Sequence, residues 1–165
     1  MTRGILFLDI DGVLNDHTKL PSGYCGIQFD KVLQLNRILD AVDPQIVVSS
    51  AWRYQVTEGA MTLRGFETLL LVHGVKCHNR VLATTQRDPV IAEPDHMDTD
   101  TWNRLGLQWR SHQITRWLAA NGSACPFVVL DDLPIDVPNL VQTDGSIGLT
   151  RADADRAIQI LRNPA

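Results

Sequence analysis

Ile5-Leu6-Phe7-Leu8 runs directly into Asp9-Ile10-Asp11-Gly12-Val13, and this junction constrains the fold more than any other stretch of the chain. Successive apolar residues bounded by a glycine turn predict a strand covered on both faces, because a half-exposed strand would alternate polar and apolar positions. Such a strand belongs inside a mainly parallel sheet, with its carboxyl end opening into the crevice where open α/β sheets bind ligands. Asp9 and Asp11 are thereby delivered to that crevice together. Two carboxylates so placed repel each other unless a cation or a shared proton holds them. A hard, oxygen-seeking metal ion is the expected partner.

The rest of the chain alternates short apolar runs with amphipathic segments, the pattern of a parallel sheet covered by helices. Strands are expected at Ile5 to Ile10, Ile46 to Ser49, Val81 to Thr84, Phe127 to Leu130 and Leu140 to Gln142. One helix carries Val32, Leu35, Leu39 and Val42 on a single face, begins after Asp30 as a cap and stops before Pro44. A second runs from Gly65 to Val72 and ends at Gly74. A third carries Ile114, Trp117 and Leu118 and ends at Asn121-Gly122, and the last carries Ala154, Ala157, Ile158 and Leu161 behind Thr150 as cap. Residues 15–28, with Pro21, Gly23 and Gly26, read as a flap-like loop. Residues 86–109, with two prolines and the acidic group Glu93, Asp95, Asp98 and Asp100, read as a long loop. The expectation is one α/β domain over residues 1–165, a three-layer sandwich around a mainly parallel five-stranded sheet.

A length of 165 residues is enough for one sizeable core. The net charge of −4 argues against a generally basic coat for nucleic acid, though not against a local basic face. Cys25, Cys77 and Cys125 are odd in number, widely spaced and form no CxxC pair, which argues against a disulfide framework or a zinc ribbon and points to a reducing, cytoplasmic setting. No apolar run approaches the length of a membrane span, and the chain enters its first strand without a secretory leader. Neither a membrane nor an obligate protein partner is expected.

Three of the expected strands end in polar residues of a particular kind, acids or paired serines. The first ends in Asp9 and Asp11, the second in Ser49-Ser50-Ala51-Trp52-Arg53, and the fourth in Asp131-Asp132 with Asp136 beyond. Carboxyl ends lie side by side in a parallel sheet, so these groups converge on one crevice. Asp131 and Asp132 also suit a turn or cap, Asp136 suits a solvated loop, and either Ser49 or Ser50 suits a cap or a phosphate contact.

The Asp9-Ile10-Asp11-Gly12-Val13 run resembles the first motif of the haloacid dehalogenase (HAD) superfamily of phosphotransferases. Ser49 is similar to the second motif and Asp131-Asp132 to the fourth, whose spacing to Asp136 resembles a GDxxxxD form with Leu130 in place of the glycine. Arg110 best matches the third-motif cation, with Arg53, Arg104 and Arg116 as competitors. The resemblance implies a Rossmann-like fold and a phosphatase using Mg²⁺. Asp9 would be the nucleophile, forming an aspartyl-phosphate, and Asp11 the acid and base. Ser49 would bind phosphoryl oxygens and Arg110 would balance their charge. The metal set would comprise Asp9, Asp131, Asp132 and the backbone carbonyl of Asp11. Gly12 turns the chain sharply after the acids, and Gly12, Ser50 and Arg53 are the remaining substrate-side candidates.

The strings Ser49 to Arg53, Arg110 to Leu118 and Gly148-Leu149-Thr150 are similar to a compact HAD branch associated with RNA-repair multidomain proteins. Large HAD caps are inserted after the first motif or after the third strand, where this chain has only a flap and a loop. That implies an open site able to admit a bulky phosphorylated substrate, such as a nucleic-acid end with a 3′- or 5′-phosphate. A small-molecule or nucleotide phosphatase is the enzyme alternative, and a non-catalytic phospholigand-binding domain the alternative of another class. Trp52 and Arg53 suit base stacking and phosphate pairing, or core packing beside an exposed arginine.

Overall fold

The computed structural model describes residues 3–19, 26–86, 99–121 and 125–163, with side chains of the third of these segments described from residue 105. The strands are β1 (Ile5–Leu8), β2 (Gln45–Val48), β3 (Val81–Thr84), β4 (Phe127–Asp131) and β5 (Leu140–Gln142). The helices are α1 (Phe29–Val42), a 3-10 turn over Ala51–Arg53 leading into the short α2 (Tyr54–Thr57), α3 (Leu63–Val72), α4 (Thr99–Asn121) and α5 (Arg151–Arg162). All neighbouring strands pair in parallel, in the order β3-β2-β1-β4-β5. This is the α/β, Rossmann-like arrangement expected from the sequence. The chain leaves central β1 towards one edge and returns to β4 on its other side, so the topological switch lies between β1 and β4.

Alternation along the strands divides the core. Leu6, Leu8, Ile46, Val48, Val128 and Leu130 face a layer built from α1, α3 and α5. Ile5, Phe7, Val47 and Val129 face α4 through Ile114 and Leu118, and Phe7 meets the Trp117 ring edge-on at 5.4 Å. Both faces are covered, which is why β1 reads as an unbroken apolar run.

Side-chain caps mark the starts of α5 and α3. Thr150 and Asp153 form a reciprocal capping box at α5. Thr62 accepts from the Gly65 N–H and starts α3 two residues before the expected Gly65. Asp30 does not cap α1: Gln28 holds the cap position, and Asp30 lies in the first turn, where its charge meets the positive helix end. The largest difference concerns the stretch expected as a long loop, because residues 99–109 are the first part of α4. Residues 87–98, with Glu93, Asp95 and Asp98, lie outside the described residues, as do 20–25 of the flap. Among the described residues, no helix is long and apolar enough to cross a membrane.

Candidate active site

The register places three polar residues in one row at the carboxyl edge of the sheet. Val48 pairs with Leu8, and Leu8 with Leu130. One residue later the row reads Ser49, Asp9, Asp131. Its backbone ladder continues through Ser49 N–H to Leu8 O and Asp9 N–H to Leu130 O, each 3.0 Å. Because side chains alternate, this row shares the face of Phe7, Val47 and Val129, under α4. Asp9 is 3% exposed, and Ser49 and Asp131 are fully buried.

Helix α4 supplies the counter-charge. One Arg110 guanidinium nitrogen donates both to Asp9 Oδ2 and, at 2.9 Å, to Asp131 Oδ2. Burial pulls the Arg110 pKa down, but the facing charges of Asp9 and Asp131 more than offset that and keep it cationic. Burial pushes the Asp131 carboxyl up to about 7, with Arg110 pulling against that shift and the charge of Asp9 adding to it. One arginine thus serves two buried carboxylates.

Asp132 closes the acidic group. Asp9, Asp131 and Asp132 each offer an oxygen within 4.8 Å of the others. Three hard carboxylate donors converging on one point suit a divalent ion such as Mg²⁺. The approach of Asp132 depends on Gly12, which has φ +72°. A Cβ there would lie 2.4 Å from Asp132 Oδ2 and 2.7 Å from its Cβ. His17, from the described start of the flap, places Nε2 3.0 Å from Asp132 Oδ2.

The Asp11 side chain lies outside that group and has different partners. Asn15 Nδ2 donates to its Oδ1 at 2.9 Å, and Trp52 Nε1 donates to its Oδ2 at 2.9 Å. Asn15 is itself held by accepting from the Gly12 N–H at 3.0 Å and the His17 N–H at 3.2 Å. The Thr143 hydroxyl donates to Gly12 O at 2.7 Å and pins the turn that follows the two acids. The Asp9 and Asp11 carboxylates, two positions apart in sequence, therefore sit in separate environments.

The two serines also part company. Ser50 Oγ accepts from the Trp52 N–H and caps the 3-10 turn, whereas the buried Ser49 Oγ has no partner among the described residues. A buried hydroxyl without a partner costs about 1–3 kcal/mol, a cost that a bound oxyanion would remove. Arg53 is buried and donates to Ser49 O at 3.1 Å and Ser50 O at 3.0 Å, with its guanidinium over the Tyr54 ring. It secures the loop carrying the serines. Trp52 neither stacks outward alone nor merely fills the core, since its indole N–H orients Asp11 while its ring packs against the main cluster. Asp136 stands apart from the acidic group, its N–H donating to Ser111 Oγ.

Sequence reasoning missed Asn15 and His17. Asn15, four residues after Asp11 in a glycine turn, had a detectable signal in its spacing. His17 meets a residue 115 positions away, and nothing local marks that pairing. A family model described as the HAD domain in Swiss Army Knife RNA repair proteins matches residues 5–154. No curated protein and no solved structure matches the chain.

Proposed function

The chain belongs to the family of HAD domains in Swiss Army Knife RNA repair proteins, and from that membership we propose that it is a Mg²⁺-dependent phosphomonoesterase acting through Asp9. HAD domains are hydrolases in general, many of them phosphatases; the metal, the covalent intermediate and the substrate are the proposal. The observation that carries it is the separation of the two acids. Asp9 shares Arg110 with Asp131 beside the acidic group, while Asp11 is held apart by Asn15 and Trp52.

Asp9, Asp131 and Asp132, with the Asp11 backbone carbonyl, would hold the cation, which when bound offsets the repulsion between a carboxylate and an anionic phosphate. Asp9 attacks phosphorus; the bond from its carboxylate oxygen forms as the bond to the leaving oxygen breaks. Asp11 gives that oxygen its proton, then takes one from the water that hydrolyses the aspartyl-phosphate and frees Asp9. Ser49 Oγ donates to a non-bridging phosphoryl oxygen, the partner it lacks among the described residues. Arg110 balances the charge that gathers there.

Nucleic-acid ends bearing a 3′- or 5′-phosphate are the first substrates to test, since the matching family is that of HAD domains in RNA repair proteins. Phosphate release is measured from 3′- and 5′-phosphorylated oligonucleotides, mononucleotides and sugar phosphates with Mg²⁺, using Asp9→Asn as the blank. The expected result is Mg²⁺-dependent release from an oligonucleotide end that Asp9→Asn and Asp11→Asn both abolish. A preference for mononucleotides or sugar phosphates would replace end processing with metabolite hydrolysis. No release from any member would leave a phospholigand-binding domain.

A further inference from the structure

We propose that Thr85 is a substrate-specificity residue, whose hydroxyl holds an oxygen-bearing group of the substrate next to the transferring phosphate. The inference rests on the phosphomonoesterase reading and deepens it.

Three observations meet at Thr85. Its N–H donates to Val48 O at 3.0 Å, and Thr84 pairs with Val48, so the next row across the sheet runs Thr85, Ser49, Asp9, Asp131. Thr85 is fully buried, as Ser49 and Asp131 are. Its Oγ1, like Ser49 Oγ, has no hydrogen-bond partner among the described residues. Two neighbouring orphaned hydroxyls on one row therefore flank Asp9 on the side away from Asp131.

A bulge aims the side chain. On β3, Val81 pairs with Ile46 but Ala83 pairs with Val47, so Leu82 is an extra residue in the ladder. Strict alternation from Val81 would have put Thr84 on the Ser49 face and turned Thr85 to the opposite one. The inserted residue exchanges them. Bulges recur beside active sites for this reason, since one residue re-aims every side chain after it.

Distance separates the task of Thr85 from that of Ser49. Strands lie about 4.8 Å apart, so Ser49 is one spacing from Asp9 and Thr85 is two, roughly 10 Å. A phosphoryl group on Asp9 that reaches Ser49 does not extend to Thr85. The Thr85 hydroxyl instead meets the next unit of the substrate: a sugar hydroxyl or phosphodiester oxygen of a nucleotide end satisfies it, and a compact apolar leaving group does not.

The test compares Thr85→Val, which exchanges the hydroxyl for a methyl group of similar size, with Thr85→Ser, which keeps the hydroxyl. Substrates are a 3′- and a 5′-phosphorylated oligonucleotide and phenyl phosphate. Thr85→Val is expected to raise KM for the preferred oligonucleotide about ten-fold more than KM for phenyl phosphate. Its kcat should hold up far better than that of Ser49→Ala, and Thr85→Ser should recover the KM. The melting temperature of Thr85→Val should not fall, because the hydroxyl supports no protein contact. Equal effects on both substrates, no effect on either, or a lower melting temperature with unchanged KM each overturn the assignment. If the wild type releases no phosphate at all, the enzyme reading fails separately. Thr85 is then judged by titrating Asp9→Asn, with and without Thr85→Val, with the same oligonucleotides. Ten-fold weaker binding in the double variant sustains the assignment, whereas equal binding or none overturns it.

Discussion

Replacing Gly12 by alanine should damage the site through Asp132, and a second glycine supplies the control. Gly12 has φ +72° and Gly59 has φ +79°, so both substitutions carry the same left-handed backbone penalty, about 1–2 kcal/mol. For a chain of this size that is roughly 2–8 °C in melting temperature. Their surroundings differ. A Cβ at Gly59 meets nothing within 4 Å, whereas at Gly12 it meets Asp132 Oδ2 at 2.4 Å, Cγ at 2.5 Å and Cβ at 2.7 Å. Carbon contacts are comfortable at about 3.5–4.0 Å, so Asp132 must retreat by about 1 Å, backbone included. Displacing a ligand of the acidic group by that much should weaken Mg²⁺ binding about 10–100-fold. Calorimetric Mg²⁺ titration and thermal unfolding of both variants provide the comparison. Gly59→Ala should bind Mg²⁺ as the wild type does, and Gly12→Ala should lose both affinity and more stability. Matching Mg²⁺ isotherms and matching melting temperatures for the two variants would mean that Gly12 does not set the place of Asp132.

Arg110→Met strands Asp9 and Asp131 against each other, and should cost about 3–5 kcal/mol in metal-free thermal unfolding, partly recovered on adding Mg²⁺. Trp52→Phe removes the donor to Asp11 Oδ2 while keeping an aromatic ring; turnover of the best substrate should drop about ten-fold or more at nearly unchanged Mg²⁺ affinity. The pH dependence of the metal-free protein follows from Asp131, whose folded pKa is raised from 3.8 to about 7 by burial. Between those values the folded state binds more protons than the unfolded chain, so this contribution to stability is complete below about 4 and is lost as pH rises through about 7. Unfolding midpoints measured from pH 4 to 8 should show that decline, and saturating Mg²⁺ should flatten it.

Much of the architecture was legible because its signals are local. The unbroken apolar run of β1, the β-branched and aromatic strand runs, and the Thr150–Asp153 capping box each express a preference of a few adjacent residues. The start of α4 was not legible, because its polar and apolar residues wind round the helix without a sharp stripe, and residues 99–109 looked like loop. Within the site, the acids at the ends of β1 and β4 could be assigned to one crevice from topology alone. The different partners of Ser49 and Ser50 could not, since adjacent serines are chemically equivalent until the 3-10 turn claims one of them.

That carboxylates and a serine would meet at the carboxyl edge of a parallel sheet was written in the chain itself, because element type and side-chain alternation follow from periodicity within each segment and parallel strands share one carboxyl edge. Which atoms face one another depends on contacts between distant segments. Arg110 reaches Asp9 from 101 positions away and His17 reaches Asp132 from 115. The one-residue bulge at Leu82 turns Thr85 rather than Thr84 onto the active row. Register between two segments is set by their joint packing, so neither segment can encode it alone.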